Sequence, residues 1–217
     1  TPTPSSAASD VYKRQLVAVE DHRFYQHAGV APSAIGRAFL QNVRSGSVVQ
    51  GGSTITQQLV KNYYLDHRRT LRRKFTEAIM ALLLERRYEK EQILQAYLNE
   101  VYLGQAGDRA VHGFGLASQH YFNRPLQDLS VDKLALLIAI VRGPTYYDPW
   151  RYPERALKRR ALVIDAMVSH GLLQARDAEW AKNEPLNLGK KSRSHFVFPA
   201  YIDLVKRQIG SSTMMRT

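Results

Sequence analysis

Apolar residues return every three to four positions along almost all of residues 16–209, a spacing that lays a continuous face along α-helices and is the wrong period for strands. No internal repeat or low-complexity linker breaks the pattern, so it predicts one helical domain, all-α in class. Ile35, Phe39 and Val43 follow Pro32, a good first-turn residue, and Gly46 stops that helix. Thr54 with Gln57 three residues on makes a capping box, and Ile55, Leu59 and Tyr63 give the next helix its inward stripe. From Arg69 to Tyr88 the inward positions are Leu71, Phe75, Ile79 and Leu82 or Leu83, with basic residues crowded into the first half. Ile93, Leu94, Tyr97, Leu98, Val101 and Tyr102 line one face of a helix over residues 90–103, with Gly104 as its C-terminal cap. The stretch Leu134 to Val141 is apolar on every side, which at that length means a buried core helix after a Ser130 cap. A further helix opens at Pro153, turns Leu157, Ala161, Ile164 and Val168 inward and ends at Gly171.

The ends are less informative. Residues 1–15 are small, polar and aperiodic and read as a disordered or non-native tail, and Gly210 to Thr217 carry no pattern either. No run of about 18 apolar residues and no signal-peptide core occurs, so any membrane anchor is expected outside this chain.

Charge narrows the partners. Among 217 residues, 31 Lys and Arg against 19 Asp and Glu give a formal charge of +12, which favours nucleic acid, anionic lipid headgroups or a pyrophosphate-bearing substrate. The basic runs Arg68-Arg69, Arg72 to Lys74 and Lys158 to Arg160 lack interleaved aromatics of the kind that stack bases, which weighs against single-stranded nucleic acid; they suit solvated faces equally well. With no cysteine, disulfides and thiolate metal sites are excluded, and the seven histidines show no metal-ligand spacing.

Three segments carry candidate chemistry. In VEDHRFYQHAG (Val19 to Gly29) the adjacent acids Glu20 and Asp21 follow a short apolar run and precede Phe24 and His27; partial desolvation there would raise a carboxylate pKa toward general-base work, although a capping pair at a helix start fits as well. In QGGSTITQQLVKN (Gln50 to Asn62), Thr54, Gln58 and Lys61 share one helix face behind a Gly-rich turn, a surface suited to pyrophosphate or sugar hydroxyls or simply to solvent. In RRKFTEAIMALLLE (Arg72 to Glu85), Arg73 stands one turn before Glu77, and the surrounding cations should keep that acid ionised. One raised and one depressed carboxylate is the pairing expected at a sugar centre, whereas an ordinary ion pair on a helix surface is worth only about 0.3–0.5 kcal/mol. Asn99 and Glu100 take the polar side of the helix KEQILQAYLNEVYLG, in which Tyr97 and Tyr102 read as packing residues.

Taken in order, these segments together with RRALVIDAMVSHG resemble the glycosyltransferase family 51 domain of class A, bifunctional penicillin-binding proteins, over roughly residues 16–209. The resemblance implies a lysozyme-like, two-lobed helical domain at residues 16–192, with a cleft and a smaller membrane-dipping lobe, and the start of a linker toward a transpeptidase domain at 193–217. It implies polymerisation of lipid II, with Glu20 as the catalytic base, Glu77 as the second catalytic glutamate, and Lys61, Arg73 and Arg142 stabilising the departing undecaprenyl pyrophosphate. Asp21, Phe24, His27, Thr54, Gln57, Gln58, Asn62, Lys74, Asn99, Tyr102 and Gly104 match further substrate-contact positions. His22 stands where the family usually carries an arginine directly after the Asp, with Arg23 next. A magnesium or manganese ion at Glu77 is the one cofactor implied. The partners implied are lipid II, the lipid-linked glycan chain, the membrane surface at the outer face of a bacterial cytoplasmic membrane and regulators of cell-wall synthesis, with no nucleic acid. A mobile segment near residues 36–50, including Val48 and Val49, would shape the donor site. The transpeptidase triad of SxxK, SxN and KTG does not occur as a set, so penicillin binding is not expected of this chain. A lysozyme-like muramidase and a non-catalytic basic module are the rival readings; a hydrolase with an alcohol leaving group has no use for a Lys61 and Arg73 cluster.

Overall fold

The computed structural model describes residues 4–32, 52–64 and 70–190. Eight α-helices occur among these: α1 (Pro4–Glu20), α2 (Ile55–Tyr64), α3 (Leu71–Arg87), α4 (Lys90–Glu100), α5 (Phe114–Phe122), α6 (Val131–Val141), α7 (Pro153–Ser169) and α8 (Ala175–Asn183). The helical class is borne out. The helix expected after Pro32, the segment 36–50 and the segment 193–217 lie outside the described residues. Residues 4–15, read as a tail, form the first turns of α1, with Gln15 buried and Tyr12 packed against the core.

The core sits where the all-apolar stretch predicts. Leu134 to Ile140 of α6 are all buried, with α7 packed along one side and the C-terminal half of α1 contributing Leu16 and Val17. Burying each such Leu or Ile stabilises the fold by about 1.5–3 kcal/mol, which is why a helix with no polar face belongs at the centre. The stripe Ile93, Leu94, Tyr97, Leu98 and Val101 of α4 is buried as its period predicts. The inward face of α7 includes Ile164 but is centred on Ala156, Arg160, Val163 and Met167, about one position from the expected stripe. Arg160 can sit inside because its guanidinium donates to the carbonyls of Lys182, at 3.2 Å, and Glu184, tying α7 to the end of α8.

Two expectations are overturned. The helix over residues 90–103 ends at Glu100, and Tyr102–Ala106 (β1) pairs antiparallel with Arg109–His112 (β2), with an irregularity between Tyr102 and Gly104. Gly104 is therefore no helix cap. It lies in β1 at φ +151°, where an added Cβ would stand 2.4 Å from the Tyr121 hydroxyl, which itself donates to the Leu103 carbonyl at 2.8 Å. The second concerns α3, whose supposed inward residues face outward: Phe75 is 68% exposed and Leu83 59%, with Ile79 and Leu82 also exposed, while Glu77 and Ala81 are buried. Tyr63 of α2 is likewise exposed, unlike Ile55 and Leu59 on the same expected stripe.

The buried side of α3 lies against the turn after α1. At Gly29, φ is +89° and an added Cβ would come within 2.6 Å of the Ala81 carbonyl oxygen, a backbone atom that cannot swing away. Gly29→Ala is expected to lower the unfolding free energy by about 2–4 kcal/mol, from left-handed strain plus overpacking, as read from the urea midpoint at unchanged slope.

Candidate active site

The site is assembled around the N-terminus of α2. Thr54 and Gln57 form the predicted capping box: the Thr54 N–H donates to Gln57 Oε1 and the Gln57 N–H to Thr54 Oγ1, both at 3.1 Å. Thr54 Oγ1 also donates to the Gly29 carbonyl at 2.6 Å. Asp21, directly after α1, accepts the Ile55 N–H at 3.0 Å and lies 2.9 Å from His27 Nε2 through the same Oδ2. A carboxylate is stabilised at a helix N-terminus, and here it fixes the angle at which α2 meets α1. Because the Gly29 N–H donates to His27 Nδ1 at 3.1 Å, the imidazole carries its proton on Nε2 and gives it to Asp21.

A second carboxylate completes the support. Glu85 of α3 accepts from Thr56 Oγ1 at 2.5 Å and from Lys90 Nζ at 2.6 Å, and Lys90 also donates to the His27 carbonyl and lies 4.5 Å from the Phe24 ring centre. Neither Glu85 nor Lys90 was singled out from the sequence. The available signal was Lys90 itself, a cation on the first turn of α4, where the helix dipole disfavours it unless a tertiary partner holds it. Asp21, Phe24, Thr54 and Gln57 are all buried and His27 nearly so; the bonds above spend their polar groups on holding α1, α2, α3 and α4 together beneath the site.

Glu20 is the last residue of α1 and is half-buried. Its Oε2 accepts from Gln58 Nε2 at 3.2 Å. Desolvation raises its carboxyl above the ordinary value of 4.5, the negative Asp21 adds to the rise, and the Gln58 hydrogen bond with the charges of Arg159 and Arg142 pulls the other way without cancelling it. The expectation of a raised carboxylate at Glu20 is met. Arg159 of α7, from a basic run that looked like a solvated face, belongs to this group: burial and Arg142 lower its pKa while Glu20 raises it. Its position was hidden because the buried stripe of α7 is offset from its most apolar one. Arg142 caps the C-terminus of α6.

Glu77 of α3 is buried and paired with Lys74, whose ammonium also donates to Ser53 Oγ at 2.8 Å. Ser53 just precedes α2 and Gln58 is in its first turns, so one short stretch of chain contacts Glu20 directly and Glu77 through Lys74. Arg73, on the same turn of α3 as Lys74, donates its backbone N–H to the Thr70 cap at 3.2 Å. Lys61 and Asn62 are exposed on the C-terminal half of α2, and Asn99 is exposed on α4 beside Gln95. Tyr102 and Gly104 do not join Glu20. They line a separate cavity of about 580 Å³ with Gln105, His120, Asp148 and Arg151. Among the described residues no three His, Asp or Glu side chains converge on a metal position, and the Glu77 carboxylate already holds an ammonium. A divalent ion there would need most of its ligands from a bound pyrophosphate.

The site thus sets a desolvated carboxylate in the field of two arginines, with a second buried carboxylate on a lysine, and such mutual perturbation of charged groups is typical of functional sites. The transglycosylase family model matches residues 1–168, and the chain belongs to that family. It is 53% identical over 194 residues to penicillin-binding protein 1B of Vibrio cholerae serotype O1, covering 89% of this chain and 25% of that protein. Against penicillin-binding protein 1B of Escherichia coli K12 it is 43% identical over 206 residues, covering 95% and 24%. With penicillin-binding protein 1A of Aquifex aeolicus it shares 43% over 194 residues, covering 89% and 26%. The chain thus spans about a quarter of the length of these relatives. Likeness to the crystal structure of penicillin-binding protein 1A from Haemophilus influenzae is slight, at a TM-score of 0.43 and 21% identity over 71% of this chain and 19% of that one, and nothing rests on it.

The raised Glu20 carboxyl makes ionisation a cost to the folded state. Below the ordinary value of 4.5 the group is neutral folded and unfolded and the cost is absent; it is fully present once pH exceeds the raised folded value. Glu20→Gln should therefore match wild type in thermal midpoint near pH 4 and exceed it progressively as pH rises through the raised folded value, then by a constant margin, as followed by circular dichroism. A variant that loses stability relative to wild type as pH rises would show that the carboxylate is net stabilised instead.

Proposed function

We propose that this domain polymerises lipid II into β-1,4 glycan strands with Glu20 as general base. The observation that carries the reading is the desolvated Glu20 carboxyl, held by Gln58 within the field of Arg142 and Arg159. A base for a sugar hydroxyl works best with a pKa near ambient pH, and burial moves a carboxyl in that direction. Glu20 takes the proton from the 4-hydroxyl of the incoming GlcNAc. The freed oxygen forms its bond to the anomeric carbon of the chain's lipid-linked sugar as the bond to pyrophosphate breaks, with inversion, and undecaprenyl pyrophosphate leaves as an anion. An anionic leaving group calls for positive charge rather than a proton. Lys61 and Arg73, with Lys74 placed by Glu77 and Ser53, supply it from α2 and the start of α3. The cavity at Tyr102 and Gly104 is of a size to take further sugar units.

The outward stripe of α3 supports a membrane surface as partner; the outer face of the cytoplasmic membrane is what the family resemblance implies. Phe75, Ile79, Leu82 and Leu83 form one exposed apolar face, with exposed Arg72, Arg86 and Arg87 on the same helix, the pattern of an interfacial helix meeting anionic headgroups. No helix among the described residues is long and apolar enough to cross a membrane. Regulators of cell-wall synthesis remain implied by the resemblance alone.

Polymerisation of lipid II in detergent, resolved by gel, tests the chemistry. Glu20→Gln should lower the rate at least about a hundredfold, and wild-type kcat/KM should rise with pH through an acid limb above 4.5, because only the ionised base is active. Retained polymerisation in a folded Glu20→Gln protein would overturn the assignment. Separately, the Phe75→Ser, Leu83→Ser double variant should bind phosphatidylglycerol vesicles at least about tenfold more weakly in sedimentation, given the apolar area removed. Equal binding by the two proteins would move the lipid contact elsewhere.

A further inference from the structure

Tyr97 lies in the apolar stripe of α4 with its side chain fully buried, a position that packing alone would explain. Its hydroxyl, however, donates to Gln58 Oε1 at 2.9 Å, and the other end of that amide, Nε2, donates to Glu20 Oε2 at 3.2 Å. We propose that Tyr97 is a positioning residue for Glu20: its hydroxyl holds the Gln58 amide with the NH₂ turned to the carboxylate, leaving Oε1 of Glu20 for the hydroxyl of the sugar acceptor.

The chemistry of the three groups makes the orientation directional. An ionised carboxylate only accepts, so it requires the NH₂ end of Gln58; the carbonyl end is then left facing Tyr97, which must donate. The phenol can do so throughout the working range, since burial and the negative charges of Glu20 and Asp21 keep its pKa well above the ordinary 10.0. Were the amide to turn over, its carbonyl oxygen would face the carboxylate and favour the protonated acid, which is useless as a base. The groups acting on Glu20 come from every side: Arg142 at the end of α6, Arg159 on α7, Asp21 beside it, and Gln58 on α2. Tyr97 reaches it only through Gln58.

This inference rests on Glu20 being the base, so its primary test does not depend on turnover. The Glu20 carboxyl is followed by ¹³C NMR through a pH titration of the whole chain, its resonance assigned by its loss in Glu20→Gln. Tyr97→Phe keeps the ring and should move the Glu20 midpoint upward by about half a unit to one unit. Gln58→Leu should move it upward as well, and Tyr97→Phe should add nothing in the Gln58→Leu background. Incorporating 3-fluorotyrosine at position 97, which retains the packing with a stronger donor, should move the midpoint downward, a sign that structural damage does not produce, and it serves equally if Tyr97→Phe does not fold. In polymerisation assays the acid limb of kcat should follow the NMR midpoint with KM unchanged. A midpoint unmoved by both changes at position 97, or one moved equally with Gln58→Leu present, overturns the proposal. An inert wild type that still shows the coupled titration would count against the glycosyltransferase reading while upholding the coupling of Tyr97 to Glu20 through Gln58.

Discussion

One carboxylate oxygen decides where Glu20 stands. Asp21 Oδ2 takes the Ile55 N–H and the His27 Nε2–H together, so the end of α1, the start of α2 and the turn between them are fixed to a single atom. A buried carboxylate without such partners is strongly destabilising, so the arrangement holds only as a whole. It follows that Gln58, one turn into α2, faces the residue just before Asp21, which is Glu20. Asp21 thereby places its neighbour, the proposed base. The Glu85, Lys90 and Thr56 bonds brace the same junction from α3 and α4.

Glu20 itself is a compromise between opposing forces. Full solvation would leave it an ordinary glutamate, too weak a base for a sugar hydroxyl; full burial without partners would keep it protonated. Half-burial raises it, while the amide of Gln58 and the fields of Arg159 and Arg142 limit the rise. Arg159 bears part of the cost, since its own charge is desolvated and opposed by Arg142. Such mutual perturbation is characteristic of groups arranged for function rather than for stability.

Much of this was legible in the sequence, for identifiable reasons. The capping box at Thr54 and Gln57 and the buried run in α6 are local codes, in which the residues that define the feature are also its partners. Glu20 and Gln58 were legible as candidates, but their hydrogen bond spans 38 residues and no spacing rule reaches that far. Tyr97 was read as packing because its period is that of the core, although a buried phenol always raises the question of what its hydroxyl bonds to. The hairpin was missed because the apolar stripe of α4 runs on into Val101 and Tyr102; the Gly107-Asp108 pair joining β1 to β2 was its only strong turn signal.

The inverted helix α3 shows what periodicity cannot decide. A 3.6-residue period locates a stripe, not the side on which water lies. On α3 the other stripe, Lys74, Glu77, Ala81 and Glu85, is the one that turns inward, and it can do so because each member meets something suited to it: Ser53 for Lys74, Lys74 for Glu77, the bare backbone of Gly29 for Ala81, and Thr56 with Lys90 for Glu85. Once those bonds are made, Phe75, Ile79, Leu82 and Leu83 have no choice but to point away. In water both faces are costly, one burying acids and the other exposing apolar area. At a lipid surface the outer cost becomes a gain, and the same helix that seats Glu77 beside the proposed leaving group then also sets its height above the lipid from which that group's polyprenyl chain comes. A lipid partner of the kind proposed would therefore account for the apolar stripe that α3 turns outward.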